Sequence, residues 1–196
     1  MKPNCFKITC LFICIFQIGY AQKWTDEQLK KANTAELATY MTQTERDVIK
    51  YINLARLYPL DYLKIEVLGN SSSNNSYSYS DSFYVNSLIR HLKSMSPTHA
   101  LKPDKYLFES AKCFAKESGE KGIVGHDRVN CTKSYWAECC FYGSSDPGEI
   151  VLGWLIDEDV PSLGHRLICL GDYNTVGISL QPHKSWGNCT VSDFGR

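Results

Sequence analysis

The chain has no net charge, since 21 Lys and Arg balance 21 Asp and Glu over 196 residues. Without a basic excess, a protein that grips nucleic acid by neutralising phosphates is excluded. Balanced charge together with 43% hydrophobic residues also excludes a disordered chain. No internal repeat is present, and no Cys-x-x-Cys pair that would suggest a zinc or dithiol redox motif. No Gly-x-Ser-x-Gly elbow marks a serine hydrolase. Long apolar runs are scarce too: one exists, Ile8 to Ile18, and it falls short of the roughly 20 residues that span a bilayer.

That run has its own reading. Lys2 and Lys7 flank its start, and Gly19-Tyr20-Ala21 supplies small residues at −3 and −1 of a cleavage point. The pattern predicts a secretory signal over 1–21, removed after Ala21. No second apolar stretch follows, so the expected product is secreted, periplasmic or extracellular, without stable membrane insertion. Losing Lys2 and Lys7 makes it mildly acidic. Of the nine cysteines, Cys5, Cys10 and Cys14 leave with the signal. Cys113, Cys131, Cys139, Cys140, Cys169 and Cys189 stay, an even set consistent with up to three disulfides and 15 possible pairings. Cys139 and Cys140 are adjacent on an expected strand, where neighbours point to opposite faces and so take different partners.

Residues 22–196 read as one domain. Thr25 to Met41 reads as a helix, with Thr25 and Gln28 at capping-box spacing. A second helix starts near Thr44 and closes at Pro59, with Val48, Ile52 and Ala55 on one face. A short one over Asp61–Leu68 completes an N-terminal helical part, 22–69. Residues 70–80 form a polar Ser/Asn/Tyr loop, and helical spacing returns at Phe83, Leu88, Ile89 and Leu92. In the remainder, 101–196, a helix from about Pro103 buries Leu107, Ala111 and Phe114 and stops at Gly119. Trp136–Tyr142 reads as a strand, and Asp146-Pro147 opens a helix through Trp154. Thr175–Leu180 and Trp186–Phe194 read as a hairpin. Mixed helices and antiparallel strands define an α+β domain.

The residues able to do chemistry lie in this second half. His126 sits in Gly125-His126-Asp127 and His165 in Gly164-His165-Arg166, with Glu138, Glu149, Asp157, Glu158 and Asp159 between them. Two imidazoles and a carboxylate can ligate zinc with a water in the open position, or act as general acid and base. Glu149 has a simpler role three residues after Asp146, as a capping carboxylate at a helix start, and is left out of the site.

The order of these pieces resembles the CAP superfamily, the domain of cysteine-rich secretory proteins, antigen 5 and plant pathogenesis-related proteins, in its bacterial secreted branch. The matching elements are Glu45-Arg46-Asp47-Val48-Ile49 with Ile52-Asn53-Leu54-Ala55-Arg56 and Pro59, Leu101-Lys102-Pro103-Asp104, Gly125-His126, and Ala137-Glu138 leading to Tyr142-Gly143. Trp154, Ser162-Leu163-Gly164-His165-Arg166, Val176-Gly177-Ile178 and Trp186 with Asp193-Phe194-Gly195 complete the series. The resemblance implies a three-layer α-β-α sandwich with a central antiparallel sheet. It also implies a cleft of two His and two acidic residues that in some members binds zinc. Carried over, the cleft is His126, His165, Glu138 and, fourth, Glu158, with Asp157 as its neighbouring alternative. One departure stands out: where the family reads Gly-Glu-Asn-Ile, this chain has Ala137-Glu138-Cys139-Cys140.

Two functions compete. A non-catalytic binding module would use the cleft for a lipid, glycan or protein ligand, with the His/acid cluster holding a divalent metal such as zinc. A metal-dependent or acid-base hydrolase of extracellular or envelope material would use His126, Glu138 and His165 as catalytic groups. The missing nucleophile motif favours binding.

Overall fold

The computed structural model describes residues 22–70 and 83–196. The expected signal (1–21) and all but the first residue of the polar loop (70–80) lie outside them.

Helix α1 covers Asp26–Ala32 and starts on the Thr25/Gln28 capping box. It is much shorter than the expected 25–41. Tertiary contacts end it: Asn53 Nδ2 takes the Ala32 carbonyl, and Thr34 Oγ1 donates to the Leu101 carbonyl. Helix α2, Gln43–Leu57, has a Thr42/Glu45 capping box and buries Val48, Ile49, Ile52 and Ala55. Pro59 opens α3 (Pro59–Tyr62), which runs through a π-helical turn, Leu63–Val67, into α4 (Leu68–Asn70). Helix α5 spans Phe83–Ser94.

The two-residue strand β1, Lys102–Pro103, leads into helix α6, Lys105–Lys121, capped by Asp104. Gly119 does not stop α6; the helix ends three residues later at Gly122, in the left-handed region at φ 71°. Gly119 marks a close approach instead. A Cβ there would lie 2.0 Å from the Pro182 carbonyl oxygen, and one on Gly177 would lie 1.9 Å from the Phe108 amide nitrogen. Only hydrogen fits at these two points, so α6 lies directly on the neighbouring hairpin.

The remaining elements are β2 (Ala137–Tyr142), α7 (Pro147–Ile156), α8 (Gly164–Leu170), β3 (Thr175–His183) and β4 (Gly187–Gly195). The sheet order is β1-β3-β4-β2. The three long strands are antiparallel, but β1 pairs parallel with β3, so the sheet is mixed rather than wholly antiparallel. Helix α6 packs on β3 and β4, burying Ala111, Phe114 and Ala115 against Cys140, Cys189 and Val191. The larger core, with Cys139, Trp154, Cys169 and Ile178, joins the sheet to α2, α7 and α8. The result is an α+β sandwich. Trp154 Nε1 donates to the Cys140 carbonyl across 3.0 Å and fastens α7 to β2.

Cys139 and Cys140 do face opposite sides, each in a different core cluster. Of the disulfides the six cysteines allow, one is formed, Cys113–Cys131. Cys139, Cys140, Cys169 and Cys189 are buried thiols. Burial, and for Cys139 the adjacent Cys169 thiol, raises the first two well above the ordinary thiol range.

Candidate metal centre and cleft

Glu138 stands on β2 with its side chain only 2% exposed. Its Oε1 accepts from His126 Nδ1 at 2.8 Å, and its other oxygen pairs with Arg128. Arg128 is equally buried and also binds Asp193, the residue opposite Glu138 on β4, at 2.9 Å. Ser110 Oγ on α6 donates to the same Asp193 carboxylate at 2.6 Å, a reach the close helix-to-sheet packing allows. The guanidinium stacks between the rings of Phe114 and Tyr135.

One guanidinium thus serves two carboxylates, and they share it unequally. Burial works against an ionised Glu138, yet the hydrogen bonds from His126 and Arg128 outweigh it and hold the carboxyl below its usual range. Asp193 is pushed up to about 7, chiefly by burial and also by the Glu138 charge. The hydrogen bonds around Glu138 therefore favour the charged carboxylate that an imidazole N–H or a metal needs as a partner.

The second histidine is held separately. His165, second residue of α8, has Nδ1 2.7 Å from Asp157 Oδ1. Asp157 Oδ2 also accepts from the backbone amides of His165 and Arg166, acting as the N-cap that Leu163 does not supply. Asp157 reaches back because it closes α7 in the left-handed region at φ 58°, which Asp tolerates better than most residues. Arg166, fully buried, ties the same corner by donating to the Leu155 and Ile156 carbonyls.

The imidazole rings of His126 and His165 lie 6.3 Å apart, so the structure brings His126, Glu138 and His165 to one place. Glu158 does not join them. It is exposed, and no hydrogen bond from it to either imidazole occurs among the described residues. The carboxylate on His165 is Asp157, one residue earlier, because the left-handed turn folds that side chain inward. Glu149 takes its expected place in the first turn of α7 behind the Asp146 cap, but its side chain lines a cavity beside the site rather than closing a capping box.

Each Nδ1 faces a carboxylate, which only accepts, so each ring donates there and leaves Nε2 for a ligand. A further grouping uses sulfur. His126, Glu138 and Cys140 each place one ligand atom within 4.8 Å of the others, a set that could hold a metal ion. Cys140, Arg128 and Asp193 were not foreseen as site residues. The period of two along β2 puts Cys140 on the Glu138 face, and that signal was available in the sequence. Arg128 and Asp193 join only through the β2–β4 register.

No protein-family model matches the chain, and no curated protein matches it. Among solved structures, an outer surface protein of Borrelia burgdorferi is similar over 49% of this chain and 77% of its own length, at 21% identity and a TM-score of 0.40. No helix among the described residues is long and apolar enough to cross a membrane.

Proposed function

We propose that the chain is an exported CAP-like binding module whose cleft holds a divalent metal, zinc by its donor chemistry, and does not itself catalyse a reaction. The observation that carries this is the pairing of each cleft histidine with its own buried carboxylate, His126 with Glu138 and His165 with Asp157. Carboxylates behind ligating imidazoles fix the tautomer and orient the ring, which is how protein metal sites are built. Neutral imidazoles presenting Nε2 with carboxylates behind them suit zinc. Export is supported by the leader-like residues 1–21 and by the Cys113–Cys131 disulfide, a bond that persists in oxidising compartments.

The test is elemental analysis of protein purified without chelators, for wild type, His126→Ala and His165→Ala. Near-stoichiometric zinc in wild type and a clear loss in both variants is the expected result. Equal zinc in all three removes the cleft as the ligand. Turnover of peptide or ester substrates by wild type, abolished in Glu138→Ala, would replace the binding reading with the hydrolase.

A further inference from the structure

Beside the two histidines lies a cavity of about 350 Å³, which the His/acid chemistry does not account for. It opens between the end of β2, helix α7 and the 157–160 turn, with His165 on one wall and Trp186 beside it. Its volume is within the range of small-ligand sites. His126 and Glu138 are not among its lining residues, but Cys140, Asp157 and His165 are, so the cavity shares a wall with the candidate metal centre and extends beyond it to Glu149, Glu158 and Trp186.

The lining has one sign of charge. It contains Glu149, Asp157 and Glu158, and neither lysine nor arginine. Asp157 is engaged by His165, but no hydrogen bond or ion pair among the described residues reaches the carboxylate of Glu149 or Glu158. Glu149 is half-buried in the first turn of α7, where the helix terminus makes an anion tolerable. The helix explains how Glu149 is stable there and not why a second free carboxylate faces the same space. An anionic ligand would be repelled, and an uncharged lipid would gain nothing from either group.

Aromatic residues line the cavity as well. Trp186 stands 55% exposed in the β3–β4 turn, and Tyr142 adds a second ring. The turn that carries it is fastened at the backbone, where the Trp186 amide donates to His183 Nδ1 at 3.3 Å. An exposed indole and two free carboxylates lining one cavity suit a flat organic cation. Guanidinium stacks on an indole face and presents N–H donors in pairs to carboxylate oxygens, which a compact ammonium does less well.

We propose that this cavity binds the guanidinium of an arginine side chain presented by a peptide or protein ligand, stacked on Trp186 and paired with Glu149 and Glu158. The proposal rests on the reading of the cleft as a binding site and names the chemical class of its ligand.

Calorimetric titration of the full chain with N-acetyl-arginine amide, and with its uncharged isostere N-acetyl-citrulline amide, tests this. The arginine compound should bind about tenfold or more tightly. Glu149→Gln and Glu158→Gln, both isosteric, should each narrow that ratio, and the double variant should erase it. Trp186→Ala should weaken the arginine compound with both carboxylates in place. Free guanidinium ion run in parallel identifies the source: it should bind more weakly than the arginine compound, and equal affinity would overturn the side-chain assignment. Equal affinity for the two amides, including no binding of either, overturns the proposal, as does a preference retained in the double Gln variant. Zinc content measured on the same samples keeps the two readings apart. Zinc held by His126 and His165 with no arginine preference sinks this inference alone, whereas an arginine preference without zinc sinks only the metal.

Discussion

Asp157 does three things at once, and its replacement should be far more costly than that of its neighbour Glu158. It accepts from two backbone amides at the start of α8 and from His165 Nδ1, and it occupies the left-handed region. In Asp157→Ala the lost cap costs about 1 kcal/mol. The lost hydrogen bond between a buried carboxylate and the imidazole adds about 1.5 kcal/mol or more. Alanine in the left-handed conformation costs roughly 1 kcal/mol further. The total, about 3–5 kcal/mol, is a large share of the 5–15 kcal/mol margin usual for a domain. Asp157→Asn keeps one accepting oxygen and tolerates the backbone, so about 1–2 kcal/mol is expected. Glu158→Ala, at an exposed site without partners, should stay within about 0.5 kcal/mol. Urea unfolding with unchanged slope measures all three, and the nitrogen shifts of His165 should show its Nδ1–H tautomer weakened in Asp157→Ala. Comparable losses for Asp157→Ala and Glu158→Ala, or a cost below about 0.5 kcal/mol for the former, would refute the assignment of Asp157 as the cleft carboxylate.

Three further outcomes follow from the geometry. Glu117 accepts from Lys121, the Val129 amide and the Asn130 amide, and these hold its carboxyl down at about 2, the Lys121 bond most of all. A folded pKa below the unfolded one gives stability that is present above pH 4.5 and lost as pH falls toward 2. Glu117→Gln should therefore flatten acid unfolding in that window, and an unchanged acid limb would contradict it. The Cys113–Cys131 bond spans 18 residues, and its removal by Ser at both positions should cost about 3 kcal/mol, read as a lower urea midpoint. Gly177→Ala would put a methyl group into the Phe108 backbone, so its cost should exceed the roughly 1–3 kcal/mol of ordinary overpacking; a near-native melting temperature would count against the close contact.

Local signals in the sequence were good guides where local physics decides. The Thr25 and Asp146 caps start helices where the pattern puts them, the second helix begins at Gln43, next to its expected start near Thr44, and the β3–β4 hairpin lies close to its expected limits. The signals misled where distant contacts override them. Residues 33–41 continue a helical pattern, but hydrogen bonds from Asn53 and Thr34 pull the chain away. Gly119 resembles a helix stop, yet it is a contact point for a strand about 60 residues later. In the site, the two histidines and Glu138 were legible as residue types. Choosing Asp157 over Glu158 needed one backbone dihedral, which sequence spacing does not carry. Arg128 and Asp193 needed strand register, since Asp193 meets Glu138 only across the β2–β4 ladder.

The opposed orientation of Cys139 and Cys140 also makes the sheet a sorting wall for sulfur chemistry. With Cys113 and Cys131 already joined, four thiols admit three pairings on paper. Cys139 shares its side with Cys169, and Cys140 shares the other with Cys189. Two of the three pairings would draw a bond through the sheet itself, so folding leaves a single permitted combination. An oxidant reaching this protein after it has folded meets a scaffold in which scrambling among these four sulfurs has no route.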